Sequence, residues 1–129
     1  NVMKKNTTAT HLDNSTRTKY GKIEKIIIKT ISFNELCKKH DLFKLDVEGF
    51  EGKLLKNLKF KQNFPDFLVE VHNSKNAKEI YEKFKSIKLY KMYILKNNRN
   101  ILINNYRKMP KFSTDGTLFI KYEEKKNIN

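Results

Sequence analysis

Residues 43–51, with the sequence FKLDVEGFE, leave this chain few folds to choose from. Phe43, Leu45 and Val47 alternate with polar positions, the period-two signature of a short strand. The pattern then breaks. Asp46, Glu48 and Glu51 crowd around Gly49, and Leu54, Leu55 and Leu58 continue at helical spacing. A strand that passes through an acidic, glycine-containing turn into a helix is the building unit of an α/β sheet, and such sheets take ligands beyond the carboxyl ends of their strands. The same residues have a plainer reading. Asp46 caps the helix through its side-chain oxygen, and Glu48 and Glu51 are first-turn acids favoured by the helix dipole. Local chemistry alone favours the plainer reading.

The flanking sequence supplies more elements of the same kind. Residues 1–22 are polar and aperiodic, which predicts a loop or arm, and His11 and Asp13 within it have no third ligand nearby. Residues 23–31 are rich in isoleucine and predict a strand. Ser32 then caps a helix over 33–39, with Glu35 in the third position after it as in a capping box. In that helix Leu36 and Cys37 face inward. A helix over 52–58 follows the acidic turn, and Pro65 breaks the connector behind it. The apolar run Phe67, Leu68, Val69 predicts a strand buried on both faces, ending in Glu70 and His72 on one face. Asn73 or Ser74 caps a helix over 77–87, with Ile80, Tyr81, Phe84 and Ile87 on its core side. Strands are expected at 90–95 and 117–122, with a turn at 97–100 and a short returning strand at 101–106. Alternating strands and helices in the middle predict a mostly parallel sheet; loop-joined strands at the end predict an antiparallel C-terminal edge. The domain is then 23–122, with a charged tail at 123–129.

Composition bounds the function classes. A chain of 129 residues holds one domain with a modest core. Its formal net charge is +14, yet Arg17, Arg99 and Arg107 are the only arginines. Nucleic-acid sites favour arginine, whose planar fork pairs with phosphate and guanine, so the lysine excess is weak support for such a site. Cys37 is the only cysteine, which excludes an internal disulfide and a cysteine-based zinc site and predicts a cytoplasmic location. No apolar run reaches the roughly 20 residues that span a bilayer.

Three segments together carry a resemblance: KTISFNEL at 29–36, LFKLDVEGFEGKLLKNL at 42–58 and PDFLVEVH at 65–72. They resemble the C-terminal half of FkbM-type methyltransferases. In that family a K-[IL]-D-[VI]-E-G-x-E block precedes a P-x-x-x-x-E-x-H strand. Lys44, Leu45, Asp46, Val47, Glu48, Gly49 and Glu51 match the block, and Pro65, Glu70 and His72 match the strand. The resemblance implies a Rossmann-like class I methyltransferase sheet in which 43–47 is the fourth strand and 67–72 the fifth. The last strand becomes an antiparallel seventh beside the fifth. Glycine occurs only at Gly21, Gly49, Gly52 and Gly116, without the G-x-G turn that lets a backbone approach the cofactor. The expectation is therefore a partial domain lacking the N-terminal cofactor-binding strands. A missing N-terminal segment or an oligomer would complete it.

The resemblance also implies the activity: S-adenosylmethionine-dependent O-methylation of a glycan or small-molecule hydroxyl. Asp46, Glu48, Glu70 and His72 then gather at one sheet edge where donor and acceptor meet. His72 suits a general base, because imidazole titrates near neutrality. Glu70 orients it or the acceptor. Asp46 and Glu48 either hydrogen-bond the acceptor hydroxyls or hold a divalent metal that lowers the hydroxyl's pKa. Two other readings compete: a basic nucleic-acid-binding module, which lacks any helix-turn-helix, RNP or zinc-finger pattern, and a non-catalytic methyltransferase remnant.

Overall fold

A computed structural model describes residues 2–3, 23–24, 27, 29–61 and 63–123. Strands β1 (Val2–Met3) and β2 (Ile23–Glu24) form a two-stranded antiparallel ribbon. The rest of the described chain runs α1 (Phe33–Cys37), β3 (Leu42–Leu45), α2 (Glu51–Lys56), β4 (Asp66–Val69), α3 (Ser74–Phe84), β5 (Tyr90–Lys96), β6 (Arg99–Leu102) and β7 (Thr117–Tyr122). The remainder of the polar arm, including His11 and Asp13, and the tail from residue 124 lie outside the described residues.

The five-stranded sheet has the order β3-β4-β7-β5-β6. It corrects the expectation of a mostly parallel sheet. Only β3 and β4 pair in parallel; β4 with β7, β7 with β5, and β5 with β6 are antiparallel. The cause is one insertion. β4 and β5 run the same way on either side of β7, which fills the space between them in the opposite direction. One parallel contact is thereby replaced by two antiparallel ones, and the β5–β6 hairpin adds a third. The last strand does lie antiparallel beside β4, the position expected of it.

Local chemistry sets the element ends. Asn97 and Asn98 make the β5–β6 turn with φ of 50° and 58°, a left-handed pair that short polar side chains tolerate. The returning strand therefore starts at Arg99 rather than at 101. α2 stops at Lys56, because Asn57 folds its Nδ2 back to the Lys53 carbonyl at 3.0 Å. α3 begins three residues before 77, since the Asn73 side chain accepts the Asn76 amide at 2.9 Å. Ser32 precedes α1 but offers only its backbone carbonyl, to Glu35 and Leu36, and Glu35 pairs with Lys38 instead of closing a capping box. The strand expected over 23–31 is confined to Ile23–Glu24; Ile27 and Ile31 are exposed, and β1 is the one partner ladder among the described residues. Residues 25, 26 and 28 lie outside the described residues.

One sheet face carries the core. Phe67 and Val69 on β4, Leu118 and Ile120 on β7 and Met92 on β5 pack with Leu55, Leu58, Ala77, Ile80 and Phe84 from the helices and the connector. Burying each large side chain is worth about 1.5–3 kcal/mol. Leu68 and Phe119, on the opposite face, are only half-buried, so β4 is not enclosed on both sides as its apolar run suggested. Tyr90 lies among Phe60, Phe67, Phe84 and Tyr122, and its hydroxyl donates to the Pro65 carbonyl at 3.0 Å, which removes the cost of burying it. Cys37 is a core residue, as its place in α1 predicted.

Candidate functional site

β3 ends at Leu45, and its parallel ladder continues one step further: the Glu70 amide donates to the Leu45 carbonyl at 2.9 Å. That bond sets Asp46 alongside the end of β4. The chain then turns through Glu48 (φ 53°) and Gly49 (φ 99°). Two successive positive φ values reverse the backbone within a few residues. Glycine adopts such a conformation freely, whereas Glu48 is held in it.

Glu51 at the head of α2 explains how the turn is held. Its carboxylate is fully buried. Oε1 accepts the amides of Val47 (3.0 Å) and Gly49 (3.1 Å), and Oε2 accepts Nδ2 of Asn76 at 2.7 Å. A buried carboxylate is tolerable only with such a set of donors. The cap at the start of α2 thus differs from the expected one: Phe50, not Asp46, is the N-cap residue, and no side chain caps the helix. Gly52 lets α2 and α3 meet. A Cβ there would lie 2.7 Å from Glu79 Oε2, 2.8 Å from Asn76 Oδ1 and 3.0 Å from Asn76 Cα.

His72 stands where these elements converge. Its Nδ1 lies 3.0 Å from Glu51 Oε1, and its Nε2 lies 3.6 Å from both Asp46 Oδ1 and Glu48 Oε2. The Nδ1 approach is not aligned as a hydrogen bond, and that buried nitrogen has no hydrogen-bond partner among the described residues. Donor atoms of Asp46, Glu70 and His72 all lie within 4.8 Å of one another. Two carboxylates and an imidazole in this spacing suit either a hydroxylated ligand or a divalent cation. All four residues singled out from sequence therefore meet at the ends of β3 and β4.

A cleft of about 960 Å³ opens beside this cluster, between the Gly49 turn, α2 and the start of α3. His72 lines it, together with Lys53, Lys56, Lys75, Phe50 and Phe112; Asp46, Glu48 and Glu70 do not. His72 is thus shared between an acidic cluster and a basic cleft.

Sequence reasoning did not place Glu51 and Asn76 in the site. Asn76 carried a usable signal. It precedes Ala77 and lies four and eight residues before Ile80 and Phe84, on the buried stripe of α3, where a polar side chain requires a partner. The lysine cleft had no such signal, because lysines occur throughout the chain.

Residues 3–119 match the family model of the methyltransferase FkbM domain. No curated protein and no solved structure matches the chain. No helix among the described residues is long and apolar enough to cross a membrane.

Proposed function

Because this chain belongs to the FkbM methyltransferase family, we propose that it serves S-adenosylmethionine-dependent O-methylation of a glycan or small-metabolite hydroxyl, with His72 as the general base. The observation that carries the proposal is the setting of His72: a buried carboxylate at one ring nitrogen and two further carboxylates at the other. S-adenosylmethionine supplies an electrophilic methyl group and leaves as a neutral thioether. The described residues do not fit that donor. They place no glycine-rich turn after a strand, and Gly49 and Gly52 are taken up by the acidic turn and by helix packing. The chemistry derived for these residues is therefore that of the acceptor.

Glu51 Oε1 stands 3.0 Å from Nδ1 of the ring. A small rotation of the imidazole aligns Nδ1–H with Oε1, which keeps the proton on Nδ1 and presents the Nε2 lone pair to the acceptor. Nε2 is placed to take up the proton of an acceptor hydroxyl held beside it, and the methyl group would come from the donor when bound. Asp46 and Glu70 accept hydrogen bonds from neighbouring hydroxyls and hold the reacting oxygen in line, and such positioning supplies much of the acceleration.

The test is transfer of isotope-labelled methyl from S-adenosylmethionine to a panel of glycans and hydroxylated metabolites, using the chain in its natural polypeptide. His72→Asn is expected to lower kcat by about 10²–10⁴-fold with little change in KM. Unchanged transfer by that variant would overturn the assignment. The clustering of Asp46, Glu70 and His72 favours one second reading, a divalent cation that activates the hydroxyl. Activity that disappears with a chelator and returns with Mg²⁺ or Mn²⁺ would select it; persistence in chelator is the expected result.

A further inference from the structure

We infer that the acceptor is an acidic sugar, a hydroxylated ring bearing a phosphate or carboxylate, and that its anionic group seats against Lys53, Lys56 and Lys75 in the cleft beside His72. The inference rests on the reading of His72 as the acceptor's base. The cleft, at about 960 Å³, is in the size range of small-ligand sites and takes a mono- or disaccharide. Its charge is one-sided. Three lysines line it against a single carboxylate, Glu79, which lies 3.6 Å from Lys56. Lys53 and Lys75 make no ion pair among the described residues. The Lys53 ammonium lies 5.5 Å from the centre of the Phe50 ring, and both residues line the cleft.

The apolar part of the lining fits the same ligand. Phe50 and Phe112 present aromatic surface, and Phe112 is 55% exposed, a large ring left in water at the cleft. The C–H face of a pyranose covers such a ring while its hydroxyls remain free. Polarity then sets the orientation. Asp46, Glu48 and Glu70 repel an anion and accept hydrogen bonds from hydroxyls, whereas the lysines attract an anion and donate. A sugar with one acidic group has a single favoured direction across His72, and one hydroxyl is singled out by charge.

Calorimetric binding of three matched probes tests this: methyl glucoside, glucuronate and glucose 6-phosphate. Both acids are expected to bind about tenfold or more tightly than the glucoside at low salt, with the advantage shrinking as salt is added. The tighter of the two identifies the anionic group. The Lys53→Gln/Lys75→Gln double variant, altered only at exposed positions, is expected to melt like the parent and to lose the preference. Equal binding of all three probes, a preference that survives the double variant, or inorganic phosphate binding as tightly as the sugar phosphate would overturn the inference. Methyl transfer that ignores His72→Asn would remove the base assignment and leave these binding results as they are.

Discussion

Asn76 of α3 donates its side-chain amide to Glu51 of α2 at 2.7 Å, in a contact closed to solvent. The bond joins the two helices on the core side of the sheet. It also fixes the carboxylate that organises the Val47–Gly49 amides and faces His72. Helix packing and site geometry therefore depend on one pair of side chains.

Asn76→Ala leaves Glu51 Oε2 without its donor in a buried position. The expected loss is about 1–3 kcal/mol, the usual cost of an unsatisfied buried polar group, read from urea unfolding. A variant as stable as the parent would show that the pair contributes nothing net.

Glu51→Gln keeps the volume and an oxygen for the two turn amides but weakens the hold on the imidazole. We expect kcat to fall by about 10- to 100-fold with KM within a few-fold of the parent, because the residue acts through His72 and not on the acceptor. A change confined to KM would instead place Glu51 in acceptor binding.

Gly52→Ala pushes a methyl group into Asn76 and Glu79 across the α2–α3 contact. Glu79 can swing outward, but the Asn76 Cα cannot. A destabilisation of about 1–3 kcal/mol is expected, measured by thermal or urea unfolding. Alanine is normally the better helix former by about 1 kcal/mol, so a variant more stable than the parent would show that the α2–α3 contact has room for the methyl group.

Burial pushes the Cys37 thiol up from 9.0 to about 11. Across that window the unfolded chain has released the proton that the folded chain still holds. Stability therefore falls as pH rises from about 9 to about 11. Tyr90 acts in the same sense at higher pH, because burial and then the nearby Asp66 carboxylate raise its hydroxyl. Urea titrations along a pH series should show this slope, and Cys37→Ala should flatten its lower part. The same burial predicts that iodoacetamide labels Cys37 only after unfolding.

The convergence of Asp46, Glu48, Glu70 and His72 was legible through the family resemblance, which implied that 43–47 and 67–72 are the fourth and fifth strands of one sheet. Two parallel strands with polar residues just past their ends bring those residues together once the strands pair, as the Leu45↔Val69 register does. The turn conformation was less legible. Glu51 was read as an ordinary first-turn acid, and its burial depends on Asn76, which lies on another helix. Sheet direction was misjudged for a related reason. The alternation β4, α3, β5 does imply two strands running the same way, but it does not say whether they touch. A strand from residues 117–122 separates them, and nothing near residues 66–96 announces it.

The position of β7 also bears on how the polypeptide is made. Synthesis delivers β3, β4, β5 and β6 before the strand that sits at the middle of their sheet. Until residues 117–122 leave the ribosome, the edges of β4 and β5 that β7 covers lack that partner for their amides and carbonyls. Open strand edges pair with any extended segment within reach. The nascent chain is accordingly most adhesive shortly before β7 is complete. A premature stop ahead of Thr117 would leave the translated strands without the one that joins them.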